Sequence, residues 1–329
     1  MAAKNRPSAA AKASMPLAPL ALAAALGALS PAAAAAQAAG PAQTAGVQTA
    51  AAAPAASEAP PAAAAAYQPL PLRREILHGW EKASVARPPE IAAGIYELDW
   101  EAHDFRNRLA VTIDDCRPNS VMADELDILK SRGVKATFFI IGSAFLDARG
   151  RPTPRARELL ERVVSEGHAI GSHSYWHRRL DERPFRDNPK ALKRELGRVE
   201  AAIDKILGYH YPIVYFRPPN GAHSTPRYEL DRLLRSRGQY LANWTITSFD
   251  WCMRLEEGHR DRLSPDAVVA RTVKQAREES GGVILLHGFP ETAAMLGRVL
   301  DALSSAHNAR GGFEFVGLDE IMRLKYEGR

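Results

Sequence analysis

The sequence predicts an α/β domain with a mainly parallel sheet, preceded by a long Ala/Pro-rich segment without a folded core. Three observations carry this. Short apolar, β-branched runs alternate with helical apolar spacings from about residue 108 onward, the pattern of a sheet covered on both faces. Those runs end repeatedly in Asp, His or Arg, and C-terminal strand ends are where α/β barrels build their sites. The residues up to about 72 are rich in alanine and offer few large side chains to bury.

The chain has 329 residues. Lys4, Arg6 and Lys12 precede the apolar run Leu17 to Leu29, and Ala34-Ala35-Ala36 follows it. This series predicts a signal peptide over 1–36 and export to the periplasm or the exterior. The run is short for a membrane span and lacks a basic far flank, so an uncleaved membrane anchor is the alternative. Residues 37–72 read as a disordered Ala/Pro-rich linker, and 73–329 as one α/β domain. The formal net charge of +5 falls to +2 without Lys4, Arg6 and Lys12. That is too small a charge to argue for nucleic acid or an anionic membrane. The composition leaves the oligomeric state open.

Within the domain, residues 73–107 carry no clear period. Leu109-Ala110-Val111 reads as a buried strand that runs into Thr112-Ile113-Asp114-Asp115. Consecutive strand residues face opposite ways, so both acids serve one site only if the strand ends there and Cys116 to Asn119 turns one of them. A solvated Asp-Asp turn is the alternative. A helix over 123–132 stops at Gly133, a strand covers 135–142, and a helix spans 154–166. His168 to Ser172 is a short strand leading into His173-Ser174-Tyr175-Trp176-His177. Asn188-Pro189 starts a long amphipathic helix with apolar residues at 192, 196, 199, 203 and 206. Next come a strand over 213–216 ending in Arg217-Pro218-Pro219-Asn220-Gly221, a helix over 228–235, and one or two strands within 240–247. Ser264-Pro265 caps a helix to Ser280. A fully apolar strand from Gly282 ends in His287, and a helix over 292–305, a strand over 313–316 and a short helix close the chain.

The chemistry-bearing residues are weak singly. His173 and His177, four apart, converge on one turn of helix or a tight loop, which suits a metal as well as a surface pair. A carboxylate from Asp114 or Asp115 would complete the three-ligand set of an open catalytic site, leaving the other acid as a base. His287 at a strand end reads equally as a core residue, Arg217 as a turn charge, and Asp250 as a capping acid. On successive strands of one barrel, all would face one mouth.

Together these residues resemble the polysaccharide deacetylase family, the NodB-homology domain of carbohydrate esterase family four. Five motifs match in order: Thr112 to Asp115, His173-Ser174-x-x-His177, Arg217 to Gly221, Asp250-Trp251, and Ile284 to His287. The resemblance implies a distorted (β/α) barrel and a metal-dependent hydrolase. Its substrate would be an N-acetylglucosamine-containing polysaccharide, whether peptidoglycan, chitin-like or a biofilm glycan, and it would release acetate. It implies that Asp115, His173 and His177 bind a divalent ion, zinc before cobalt or nickel. Asp114 would be the general base, paired with Arg217, and His287 the general acid, oriented by Asp250. Pro218, Asn220, Trp251 and Leu285 would contact substrate. An O-acetyl esterase, a deformylase of a related sugar and a catalytically silent glycan-binding domain are the competing readings.

Three departures from the family pattern bear on loop geometry and on the pairing of His287. Cys116 replaces the usual Gly, Thr247 an Asp, and Gly288 an Asp. If the matched motifs share one rim, Cys116 and Cys252 share it too, and an oxidising compartment would allow them to form a disulfide. Two independent thiols are the alternative.

Overall fold

The computed structural model describes residues 94–95, 104–221 and 227–326. The expected signal peptide (1–36) and linker (37–72) lie outside the described residues. Helix starts follow local capping chemistry. Helix α1 (Ser120–Ser131) begins three residues earlier than its apolar spacing suggests, because the Asn119 side chain accepts from the Met122 amide. Helices α2 (Pro154–Ser165), α3 (Pro189–Leu207) and α5 (Pro265–Glu279) start in the same way. Thr153, Asn188 and Ser264 are their caps, each followed by proline in the first turn, where the missing N–H costs nothing. Helices α4 (Arg227–Arg237), α6 (Pro290–Ser304) and α7 (Leu318–Tyr326) complete the set among the described residues.

The strands are β1 (Gly94–Ile95), β2 (Arg108–Cys116), β3 (Ala136–Ile140), β4 (Ala169–Ser172), β5 (Tyr215–Phe216), β6 (Tyr240–Leu241), β7 (Ile246–Thr247), β8 (Gly281–His287), β9 (His307–Asn308), β10 (Gly311–Gly312) and β11 (Glu314–Phe315). One parallel sheet runs β1-β6-β5-β4-β3-β2-β8-β7, with β11 beside the start of β2. It curls into the distorted (β/α) barrel that the family resemblance implied. Strands β9 and β10 form a separate antiparallel pair.

Alternation along β2 divides the core into two layers. Leu109, Val111 and Ile113 belong to the large cluster that includes Met122, Leu126, Val199, Ile203, Leu296 and Val299 from the surrounding helices. Ala110 belongs instead to a smaller cluster with Phe139, Tyr215, Tyr240 and Val283, which Leu318, Ile321 and Met322 of α7 join. Thr112 and Asp114 continue the Ala110 side toward the C-terminal end of the strand.

Register then brings the motifs together. Asp114 of β2 lies opposite His287 of β8, and Ser172 of β4 opposite Phe216 of β5. The next residues after that second pair are His173 and Arg217. Two glycines permit the close entry of β8. A Cβ at Gly281 would stand 2.3 Å from the Arg108 carbonyl oxygen, and one at Gly282 would stand 2.1 Å from Thr245 Oγ1.

Candidate active site

The Asp pair does not lie beyond the end of its strand, as the sequence suggested. Strand β2 continues through it to Cys116, and the pairing with β3 shifts between Ile113 and Cys116. Asp115 carries the irregularity, with φ of 58°. Aspartate tolerates this left-handed conformation better than most residues. The bulge turns Asp115 off the alternation, so both carboxylates reach one place. His173 Nε2 is 3.8 Å from Asp114 Oδ2 and 3.7 Å from Asp115 Oδ1, and His177 Nε2 is 2.8 Å from Asp115 Oδ1.

The histidine loop is tightly built. Ser174 and His177 both have positive φ, and the Ser174 hydroxyl accepts from the His177 amide. Glu195 of α3, buried, accepts from the amides of Tyr175 and Trp176. His173 Nδ1 lies 2.8 Å from the Arg217 carbonyl oxygen. With Nδ1–H donating there, Nε2 presents its lone pair to the two acids.

Arg217 is fully buried. Its Nη1 donates to Asp114 Oδ1 at 2.7 Å and to Thr112 Oγ1 at 2.8 Å, while Nε and Nη2 donate to the carbonyls of Ala242 and Asn243. The guanidinium carbon lies 4.2 Å from the Phe139 ring centre and 5.5 Å from that of Trp244. Asp114 is thereby held through one oxygen.

His287 and Asp250 form a second unit. His287 Nδ1 is 2.8 Å from Asp250 Oδ1, and the His287 amide donates to Oδ2 at 2.7 Å. The hydroxyls of Ser248 and Thr292 and the Trp251 amide also donate to this carboxylate. Burial by itself would lower the His287 pKa. The charge and hydrogen bond of Asp250, with the charges of Asp114 and Asp115, outweigh it and raise the pKa to about 9. Burial likewise pushes Asp250 up, but His287 holds it below the usual carboxylate range. The pairing thus forms despite Gly288, the departure that bore on it. The Gly288 amide instead donates to the Asp114 carbonyl.

Ligand atoms of Asp115, His173 and His177 all lie within 4.8 Å of one another. Asp115 Oδ1 is buried and makes no hydrogen bond of normal geometry, despite its short approach to His177. Burial raises the Asp115 pKa, yet the two histidines more than offset this and keep it ionised. Burial also keeps His173 toward its neutral form, against the pull of Asp114 and Asp115. A carboxylate and two imidazole lone pairs facing one point fit a divalent cation.

The remaining sequence candidates are less concentrated. Pro218 and Leu285 are buried, Trp251 is half-buried, and Asn220 is exposed with φ of 56°. The disulfide expectation is corrected: Cys116 and Cys252 are both free. Cys116 ends β2 on the helix-facing layer, where its thiol donates to the Ile113 carbonyl, and this turns it away from the rim. Sequence reasoning missed Phe139, Trp244, Thr292, Phe289 and Glu195. Phe289 stacks on the His287 ring, with centres 5.1 Å apart. Only Glu195 left a signal, as an acid within the apolar stripe of α3.

Residues 104–234 match the family model described as polysaccharide deacetylase. A peptidoglycan-N-acetylglucosamine deacetylase, PgdA, of Listeria monocytogenes is 29% identical over 221 residues, 67% of this chain and 40% of that protein. The chain therefore spans well under half the length of that relative. A peptidoglycan-N-acetylmuramic acid deacetylase, PdaA, of Bacillus subtilis is 26% identical over 74% of this chain and 84% of its own length. A Streptococcus mutans CE4 esterase structure aligns with a TM-score of 0.54 at 24% identity, covering 68% of this chain and 91% of that one, a likeness of fold. With the five motifs gathered at the strand ends of one curled sheet, the family-model match places residues 104–234 in the polysaccharide deacetylase family.

Proposed function

We propose that this chain is a metal-dependent hydrolase that removes N-acetyl groups from an N-acetylglucosamine-containing polysaccharide and releases acetate. The observation that carries the reading is the joint geometry at one rim: the Asp115–His173–His177 cluster beside an Arg217-held Asp114 and an Asp250-held His287. The names of the PgdA and PdaA relatives point to peptidoglycan as the polysaccharide.

A divalent cation held by Asp115, His173 and His177, zinc before cobalt or nickel, would supply Lewis acidity toward the acetyl carbonyl and acidify water. The chain's own groups handle the protons. Asp114, with Oδ1 committed to Arg217, keeps Oδ2 to accept a proton from the attacking water. Water oxygen bonds to the acetyl carbon and the C–N bond breaks. His287, protonated at neutral pH, gives its Nε2 proton to the departing amine. Asp250, bonded to Nδ1 and to the His287 amide, fixes the ring and stabilises its charge.

Acetate release from peptidoglycan, an N-acetylglucosamine polymer and acetylated xylan, with and without a chelator, tests the reading. Release from the first two that the chelator abolishes is expected. Release from xylan alone would favour the O-acetyl esterase, and no release would sink the enzyme reading. We further propose that the protein is exported and loses residues 1–36. N-terminal sequencing of envelope protein should find no intact Met1.

A further inference from the structure

Trp176 lies between two residues of the cation cluster, one position before His177. It is the one exposed large hydrophobic side chain among the described residues, at 50% exposure. Its backbone is nevertheless firmly held. Its amide donates to buried Glu195 at 2.7 Å, and those of Gly142 and Ser143 donate to the carbonyls of Ser174 and Tyr175. The Tyr175 ring meets the indole edge-on at 4.9 Å, with the Arg198 guanidinium 5.5 Å from the Tyr175 ring centre. Gly142 makes room for this layer, since a Cβ there would stand 2.9 Å from Tyr175 Cδ2. The chain thus orders an indole one residue before His177 of the cation cluster and leaves it half in water.

We infer that Trp176 is a stacking platform for a pyranose ring of the glycan, adjoining the sugar whose acetamide reacts. The inference rests on the deacetylase reading for the identity of the reacting sugar. The surroundings favour a sugar over a protein partner. Arg178 and Arg179 are exposed beside it, so the indole stands without the contiguous apolar patch that a protein interface core requires. A pyranose suits a lone indole: its C–H face covers the ring while its equatorial hydroxyls stay hydrated. The indole is already oriented, so little freedom is lost on binding. A platform next to the reacting sugar makes the enzyme prefer an oligomer to a single sugar.

Two arms test this with the N-acetylglucosamine pentamer. In the first, Trp176→Ala and Trp176→Phe are assayed kinetically. KM for the pentamer should rise about five- to thirtyfold in the Ala variant, from the loss of one covered aromatic face. Its kcat should stay within about threefold, its bound metal and its kinetics on the monosaccharide should be unchanged, and Phe should recover most of the loss. In the second, calorimetry on the Asp114→Asn protein, which consumes the ligand at least about a hundredfold more slowly, should show the same weakening when Trp176→Ala is added. A Kd and KM within about twofold of the parent would overturn the platform, as would loss of metal with a fall in kcat, which would make the residue a support for His177. If the parent releases no acetate, the deacetylase reading fails and the calorimetric arm alone decides the platform.

Discussion

Replacing Asp114 by Asn should separate two roles of one carboxylate. Arg217 is fully buried, and Asp114 is the only carboxylate within ion-pair distance of it among the described residues. Asn can still accept the Nη1 hydrogen bond, but the guanidinium charge is left uncompensated. Removing one partner of a buried pair costs about 3–5 kcal/mol, and the retained hydrogen bond places this case near the lower end. For a domain of this size each kcal/mol lowers Tm by about 2–4 °C, so the expected fall is about 6–12 °C. Turnover should fall about 10²- to 10⁴-fold with the proton acceptor gone. Bound metal should persist, because Asp115, His173 and His177 are untouched. The double variant Asp114→Asn/Arg217→Met removes both charges and should regain most of the lost stability while staying inactive. Thermal unfolding by circular dichroism, metal analysis and acetate release read the three quantities. A single variant melting within about 2 °C of the parent would refute the buried-charge argument. An empty site would mean that Asp114 is a ligand, and a double variant that regains turnover would exclude Asp114 as the proton acceptor.

Three further predictions follow from neighbouring groups. His173→Ala should lose both the cation and turnover, since two remaining protein ligands hold an ion poorly; metal analysis after gel filtration checks it. His287→Ala should keep the metal and lose about two to four powers of ten in turnover; survival within about threefold would make His287 a core residue. His168, remote from the cluster, is buried with its Nδ1 accepting from the Ala136 amide, and burial lowers its pKa to about 4. The unfolded chain takes up this proton near pH 6.5 and the folded chain does so only near pH 4. Stability should therefore fall by about 3 kcal/mol as pH drops between those values and be fully present above them. His168→Gln should flatten that limb in urea titrations at stepped pH, and an unchanged slope would assign it to another group.

Much of the fold is written locally. Thr153, Asn188 and Ser264 mark helix starts because a capping side chain bonds an amide three residues on, and Asn119 does the same where apolar spacing alone placed the start too late. The apolar runs announce strands because burial on both faces requires them. For the same reason the ends of those strands could be read as a shared rim, and Asp114, Asp115, His173, His177, Arg217, Asp250 and His287 as its occupants. What the chain order could not supply was direction. The adjacent acids are chemically identical, and only the bulge at Asp115 distinguishes the one that approaches His177 from the one that Arg217 holds. The burial of Arg217 between Phe139 and Trp244, and the hold of Thr292 on Asp250, join residues tens of positions apart. Cys116 and Cys252 follow matched motifs yet remain free thiols, because the bulge at Asp115 turns Cys116 into the helix-facing core. Sequence periodicity determines which elements form and where they end. Curvature, register and one left-handed residue determine which atoms meet, because these depend on contacts between segments distant in the chain.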